Sequence, residues 1–322
     1  MSTLPTLAEI EAAAALVRTA VPTTPQFSWP MLNERVGCEV WVKHENHTPL
    51  GAFKVRGGLV YFARLVEREP GVRGVIAATR GNHGQSVAFA ARRHGLTATI
   101  VVPHGNSVEK NAAMRTLGAE PIEHGEDFQA AREHAEALAA ELGLHMVPSF
   151  HERLVAGVAT GSLELLAAAP ELDVVYVPIG LGSGICGMLA AREALGLRTE
   201  VVGVVSTGAL AYAVSFAERR AVERPVTTRL SDGMAVRVPQ PEALELIWRG
   251  VSRIVAVSDE EVGEAMRALF ECTHNIAEGA GAAPLAAALK ERDEVRGRQV
   301  GLVLSGGNVD RSVFARVLAE KP

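Results

Sequence analysis

A single lysine between apolar residues is the first candidate for chemistry in this sequence. The stretch GAFKVRG begins at Gly51, places Lys54 between Phe53 and Val55, and is followed by another glycine. Shielding from water disfavours the charged form of a lysine and lowers its pKa, and the neutral amine is a nucleophile and a base. Lys54 is therefore a candidate catalytic residue. The alternative, a solvated surface charge, is the common state of a lysine.

A glycine-containing loop, ATRGNHGQS, follows an apolar run that ends at Ala78. Its central residues are Thr79, Arg80, Gly81, Asn82 and His83. A helix is predicted over 85–94, and backbone amides at the start of a helix attract anions. The loop is therefore a candidate anion site. An ordinary glycine turn without a ligand is the alternative.

A second loop, PIGLGSGICG, begins at Pro178, and its residues 182–187 match the G-x-G-x-x-G pattern of dinucleotide sites. Such a site needs an acidic residue at the end of the next strand to hold a ribose hydroxyl. That strand ends without an acid, and Glu200 lies at its beginning. The pattern therefore favours a phosphate cradle made of glycine amides, the Ser183 hydroxyl and a helix dipole.

A third loop, LSGGNVD, follows the last apolar run and places Ser305 at its end. A hydroxyl there could contact a ring nitrogen or a phosphate. Ser-Gly-Gly is also an ordinary turn, so this motif is weak when taken alone.

The elements that must position these loops are short β-branched runs, each followed by a turn and a helical pattern rich in alanine and leucine. The predicted strands are 39–43, 75–78, 99–102, 174–177, 201–205, 254–257 and 300–304. Strands that alternate with helices form parallel sheets covered on both faces. The predicted fold class is therefore α/β, doubly wound, with ligands at the carboxyl ends of the strands. Residues 73–152 are predicted to form a small domain inserted into a larger one made of 1–72 and 153–322.

Composition excludes several function classes. The formal net charge is −5, and the short basic clusters lack interleaved aromatic residues, so no nucleic-acid partner is expected. Three cysteines without a C-x-x-C pair predict neither a disulfide framework nor a zinc site, as in a cytoplasmic protein. The first residues do not resemble a signal peptide. Residues 174–191 carry no charge, but one proline and four glycines predict a strand, a loop and a helix start instead of a membrane span.

The chain contains, in this order, the lysine, the Gly-Asn-His loop, the glycine-rich loop and the Ser-Gly-Gly-Asn sequence. This arrangement resembles that of the fold type II pyridoxal-phosphate enzymes. The resemblance is to the threonine dehydratase and serine racemase group, and its motifs span residues 51–310. It implies two doubly wound parallel-sheet domains of the tryptophan synthase β-like type. It also implies pyridoxal 5'-phosphate as the cofactor and a homodimer.

The same resemblance assigns roles to individual residues. Lys54 would carry the cofactor as a Schiff base and, once freed, remove the α-proton of the substrate. The implied cofactor-binding residues are Phe53 beside the ring, Asn82 at the 3'-hydroxyl, Ser305 at the pyridine nitrogen, Glu278 near the ring, and Gly180, Leu181, Gly182, Ser183 and Gly184 at the phosphate. The implied substrate-binding residues are Thr79, Arg80, Gly81, Asn82 and His83. For Glu278, a cap on the helix that follows is the alternative.

The sequence departs from the family pattern at Arg80, where serine racemases have a serine that acts as the second base. A guanidinium stays protonated and cannot take that role, so racemisation is disfavoured. Arg80 could pair with a substrate carboxylate or another polar group, or point to solvent. Val205 and Ala211 stand where relatives have carboxylates that bind a divalent cation, so no metal is expected.

The reaction implied is the conversion of L-threonine, L-serine or a related 3-hydroxy amino acid to a 2-oxo acid and ammonia. A neutral serine at the ring nitrogen makes the ring a weaker electron sink, which favours elimination over transamination. The alternatives are an amino-acid racemase or another fold type II β-eliminase or synthase. A non-catalytic nucleotide-binding module is more remote.

Overall fold

A computed structural model describes residues 3–320 of the chain. Ten strands within these residues form two sheets. The six-stranded sheet has the order β1-β2-β10-β7-β8-β9 and the four-stranded sheet the order β5-β4-β3-β6. The strands are β1 (Gln26–Ser28), β2 (Glu39–His44), β3 (Gly74–Ala78), β4 (Thr97–Val102), β5 (Ala119–Glu123), β6 (His145–Met146), β7 (Val174–Pro178), β8 (Glu200–Ser206), β9 (Arg253–Val257) and β10 (Gln299–Leu304).

Helices connect most of the strands and cover both sheets. They are α1 (Leu7–Val17), α2 (Pro30–Val36), α3 (Lys54–Arg68), α4 (Asn82–Arg93), α5 (Val108–Thr116), α6 (Phe128–Leu142), α7 (Glu152–Ala168), α8 (Ser183–Ala194), α9 (Ala211–Glu218), α10 (Pro241–Gly250), α11 (Asp259–Thr273), α12 (Gly279–Lys290) and α13 (Arg311–Ala319). The turns Glu45–His47 and Asp232–Met234 are short 3-10 helices.

The seven predicted strands are confirmed, each within one or two residues of its predicted ends. All strand pairs are parallel except β1 with β2, which are antiparallel. The sequence analysis did not predict β1 and β6, which have three and two residues, or β5, whose sequence AEPIE contains a single β-branched residue. The predicted α/β class with two parallel-sheet units is confirmed, with an antiparallel edge strand in addition.

One helix begins earlier than predicted, and one ambiguous stretch folds as predicted. The helix predicted over 85–94 begins at Asn82, three residues earlier, because the Thr79 hydroxyl accepts hydrogen bonds from the amides of Gly81 and Gly84. The uncharged stretch 174–191 divides into a strand, a glycine loop and the start of α8, as predicted. Within residues 3–320, every helix is too short or too polar to cross a membrane.

A buried arginine in the first turn of α3 is the centre of a group of ion pairs. Arg56 is fully buried and bonds two carboxylates, with Nε 2.8 Å from Glu45 Oε2 and Nη1 2.9 Å from Glu164 Oε1. Lys43 Nζ lies 2.8 Å from Glu164 Oε2. We call these four residues the Arg56 cluster. Arg56 follows Lys54 by two residues on the same helix. The ion pairs of Arg56 therefore fix the first turn of α3, and with it the backbone position of Lys54.

Candidate active site

The residues predicted for the site lie together. One cavity is lined by every predicted site residue, namely Phe53, Lys54, Thr79, Arg80, Gly81, Asn82, His83, Gly180, Leu181, Gly182, Ser183, Gly184, Glu278 and Ser305. The carboxyl ends of β3, β7 and β10 lead into the three predicted loops, where parallel sheets usually bind ligands.

Backbone contacts join the lysine segment to the third loop. Ala52 and Gly306 form an isolated antiparallel bridge, and the Phe53 amide donates to the Ser305 carbonyl at 3.0 Å. These contacts place the Ser305 side chain beside the first residue of α3. The serine is buried, and it lines the cavity.

Lys54 differs from the other described lysines in its partner. Lys43, Lys110 and Lys290 each pair with a carboxylate, whereas Lys54 Nζ donates to the neutral hydroxyl of Ser183 at 2.9 Å. Desolvation lowers the pKa of Lys54 from 10.5 to about 8, even though the Glu278 charge acts in the opposite direction. The lysine therefore supplies a neutral amine at a much lower pH than an ordinary lysine does.

The lowered pKa gives a direct prediction for the cofactor-free chain. Because the amine is neutral above the pKa of its folded form, labelling of Lys54 by an amine-specific reagent should increase as the pH rises, with a midpoint at about 8. Peptide mapping of protein labelled at a series of pH values measures this midpoint. A midpoint near 10.5, the ordinary value, would contradict the argument.

The second loop supplies unpaired backbone donors. None of the amides from Gly180 to Ile185 donates a hydrogen bond within residues 3–320, and Gly182 has a φ of 104° at the start of α8. A Cβ atom on residue 180 would lie 2.5 Å from the Gly233 carbonyl oxygen. A side chain at that position would therefore collide with the facing loop. Consecutive free amides at the start of a twelve-residue helix fit a phosphate dianion.

Asn82 is held at the start of α4 by two neighbours. Its Nδ2 donates to Glu278 Oε1 at 2.6 Å, and its Oδ1 accepts from Asn308 Nδ2 at 2.9 Å. Glu278 occupies the N-cap position of α12 but makes no capping hydrogen bond with its side chain. The alternative role, a helix cap, is therefore wrong. The carboxylate faces the cavity instead.

Two charged residues of the cavity were missed by the sequence analysis. Lys110 Nζ lies 2.7 Å from Asp232 Oδ2 and 3.1 Å from Glu278 Oε2. Burial alone would lower the pKa of Lys110, but the two carboxylates outweigh it and raise that pKa. Burial raises the pKa of Glu278, against the opposing charge of Lys110. The scarcity of lysines could have drawn attention to Lys110, whereas Asp232 lies in a loop without a recognisable pattern.

The first loop offers donors to an anion and a neutral imidazole. The amides of Asn82 and His83 donate no hydrogen bond among residues 3–320. His83 is buried, its Nε2 has no partner in the described chain, and burial together with the Lys54 charge lowers its pKa to about 3. A buried polar atom without a partner is costly, so it indicates a ligand that supplies the partner.

The aromatic ring of Phe53 lies beside both the lysine and the second loop. Lys54 Nζ is 4.8 Å from the centre of that ring, and a Cβ on residue 184 would lie 3.6 Å from its edge. The ring therefore forms an apolar wall of the cavity, beside the amine and the free amides. A flat ring bearing a phosphate and an aldehyde matches this combination of wall, cradle and amine.

Comparison with known proteins agrees with this chemistry. The family model described as pyridoxal-phosphate dependent enzyme matches residues 17–306. The L-threonine ammonia-lyase of Thermotoga maritima is 36% identical over 314 residues, which cover 97% of this chain and 78% of the relative. The L-threo-3-hydroxyaspartate ammonia-lyase of Saccharomyces cerevisiae is 31% identical over 319 residues, covering 99% and 98%.

A solved structure supports the same assignment at the level of the fold. Maize serine racemase superposes with a TM-score of 0.89 at 27% sequence identity, covering 98% of this chain and 97% of that one. The expected family and the expected cofactor are thus both confirmed, and a non-catalytic nucleotide-binding module is excluded. Fold, cavity and sequence likeness agree, and this chain belongs to the pyridoxal-phosphate dependent enzymes of fold type II.

Proposed function

We propose that this enzyme is an ammonia-lyase that converts 3-hydroxy amino acids, among them L-threonine and L-serine, to 2-oxo acids and ammonia. The observation that carries the proposal is Lys54, a partly buried amine with a pKa of about 8 and no carboxylate bonded to it. Relatives named as ammonia-lyases support the reaction type.

The cofactor would be held by the residues that line the cavity. When bound, pyridoxal phosphate supplies an aldehyde that bonds covalently to amines and a ring that withdraws electrons from the substrate's α-carbon. Lys54 would provide the covalent attachment, and the free amides between Gly180 and Ile185 would hold the phosphate. Asn82 would bind the ring hydroxyl, and Ser305 would face the ring nitrogen as a neutral partner.

The substrate would bind through the first loop. The free amides of Asn82 and His83 point outward from the start of α4, and two adjacent donors suit the two oxygens of an α-carboxylate. The neutral His83 imidazole lies in the same loop and adds a donor or acceptor without adding charge.

Lys54 would then act as the base on the α-carbon. A base is most effective when its pKa lies near the working pH, and a value of about 8 satisfies this condition. Ser183 Oγ, 2.9 Å away, orients the amine. Loss of the α-proton and of the β-hydroxyl as water leaves an enamine, which water converts to the 2-oxo acid and ammonia.

Racemisation is disfavoured by Arg80, a residue of the substrate loop. A racemase needs a second base on the opposite face of the α-carbon, and a permanently protonated Arg80 cannot remove a proton. We therefore expect 2-oxo acid as the product and no D-amino acid.

The test is product analysis with L-threonine and L-serine. Purified enzyme loaded with pyridoxal phosphate should release 2-oxo acid and ammonia in equal amounts. A coupled reductase assay measures the 2-oxo acid, and chiral chromatography should find no D-amino acid. Accumulation of D-serine without 2-oxo acid would refute the proposal in favour of a racemase. Absence of both products would refute an amino-acid substrate of this kind.

Three further features are proposed, the domain division from the sequence pattern, the location from cysteine usage and the homodimer from the resemblance. The small domain would comprise residues 73–152, and the large one 1–72 and 153–322. This division is supported by the four-stranded sheet, whose strands all fall within 73–152. The enzyme would act as a homodimer in the cytoplasm, which light scattering and cell fractionation can test.

A further inference from the structure

Arg80 places a positive charge at the wall of the active-site cavity. It is half-buried and lines the cavity, yet its guanidinium makes no hydrogen bond or ion pair within residues 3–320. The cavity's other cations are occupied, since Lys54 bonds Ser183 and Lys110 bonds two carboxylates. A half-buried cation facing a ligand cavity is thus available to a ligand anion.

The α-carboxylate of an amino acid does not need this cation. The amides of Asn82 and His83 are free and adjacent, so they can satisfy both carboxylate oxygens. The Thr79 hydroxyl is used inside the loop, where it accepts from the amides of Gly81 at 2.9 Å and Gly84 at 3.3 Å. The guanidinium of Arg80 is therefore left for a different group of the substrate.

The location of Arg80 indicates which end of the substrate it would meet. Arg80, Lys110 and Asp232 line both the active-site cavity and a neighbouring cleft, which also contains Arg229. Arg80 thus lies at the junction of the two spaces, and once the Asn82 and His83 amides hold the α-carboxylate of a substrate, its guanidinium is left for the substrate's side chain. A guanidinium presents two parallel donors that match the two oxygens of a carboxylate. A substrate side chain that ends in a neutral hydroxyl or methyl group cannot form this pair of hydrogen bonds.

We propose that Arg80 binds a second carboxylate, and that the preferred substrates are 3-hydroxy amino acids with an acidic side chain. The proposal rests on the ammonia-lyase function, because it concerns the substrate of the same site. The leaving group and the proton steps are unchanged, since the second carboxylate only positions the substrate.

Specificity in an arginine variant tests this proposal. For the wild type, kcat/KM for L-threo-3-hydroxyaspartate should exceed kcat/KM for L-serine. In Arg80→Met this ratio should fall by at least about 10-fold, because charge-assisted hydrogen bonds to the second carboxylate are lost. The matched control is Arg229→Met, which removes an exposed arginine that lines only the neighbouring cleft and should leave the ratio unchanged.

Two results would overturn the proposal. An equal loss with both substrates would mean that Arg80 contacts a group common to both. A ratio that stays the same, or a wild-type preference for L-serine, would mean that Arg80 does not recognise an acidic side chain.

Binding without turnover separates this proposal from the function on which it rests. Calorimetry of the cofactor-loaded enzyme should give a Kd for succinate at least about 10-fold lower than for propionate, and Arg80→Met should remove the difference. Equal wild-type affinities would refute the role of Arg80 even if L-serine is deaminated. Tight succinate binding without any deamination would refute the lyase function instead.

Discussion

Replacing Lys54 with alanine is expected to lower kcat for L-serine deamination by at least about 1,000-fold. General-base catalysis alone contributes roughly 10²- to 10⁴-fold, and this variant also loses the covalent attachment of the cofactor. The cavity wall offers no replacement, because Lys110 is bonded to Asp232 and Glu278 and its pKa is raised, not lowered. The rate of 2-oxo acid release under saturating substrate and cofactor measures the loss.

Lys290→Ala is the matched control for this experiment. Lys290 is a surface lysine paired with Glu261, and it does not line the cavity, so its removal should leave kcat within a factor of about two. Retention of more than a tenth of the wild-type rate by Lys54→Ala would show that another group performs the proton transfer.

The second large effect is expected on stability. Arg56→Leu should lower the free energy of unfolding by about 3–5 kcal/mol, because it leaves the buried carboxylate of Glu45 and the partly buried carboxylate of Glu164 without their shared cation. Lys43 remains and still pairs with Glu164, but it makes no ion pair with Glu45. Urea unfolding of the cofactor-free chain, followed by far-ultraviolet circular dichroism, measures the change.

An exposed ion pair provides the comparison. Arg296→Leu breaks the pair with Asp293, whose two side chains are 73% and 81% exposed, so the change should stay within about 0.5 kcal/mol. If the two variants unfolded at the same urea concentration, the Arg56 cluster would not stabilise the fold. The start of α3, and with it the position of Lys54, would then be set by backbone contacts alone.

The parts of the site that could be predicted from the sequence are the local ones. Gly81, Gly182 and Lys54 stand in short motifs, and each motif directly follows an apolar strand or precedes a helix. Backbone amides at such points are exposed by local geometry, which neighbouring residues determine. The loops and their ligand classes were therefore accessible without a structure.

The parts that escaped prediction depend on contacts between distant segments. Asp232 and Glu278 reach Lys110 from loops more than one hundred residues away in sequence. Glu164 meets Arg56 across 108 residues of sequence, whereas Glu45 lies only 11 residues from it, and neither acid stands in a pattern that marks it as a partner of Arg56. Short strands such as β6, with two residues, form because neighbours offer hydrogen bonds, not because of their own propensity.

The most direct test of the account is to identify the lysine that carries the cofactor. The chain has five lysines, Lys43, Lys54, Lys110, Lys290 and Lys321, so peptide mapping after borohydride reduction of the loaded enzyme can assign the modified residue without ambiguity. The account predicts that the added mass of the reduced cofactor is found on the peptide containing Lys54. Modification of any of the other four lysines, with Lys54 unmodified, would contradict it.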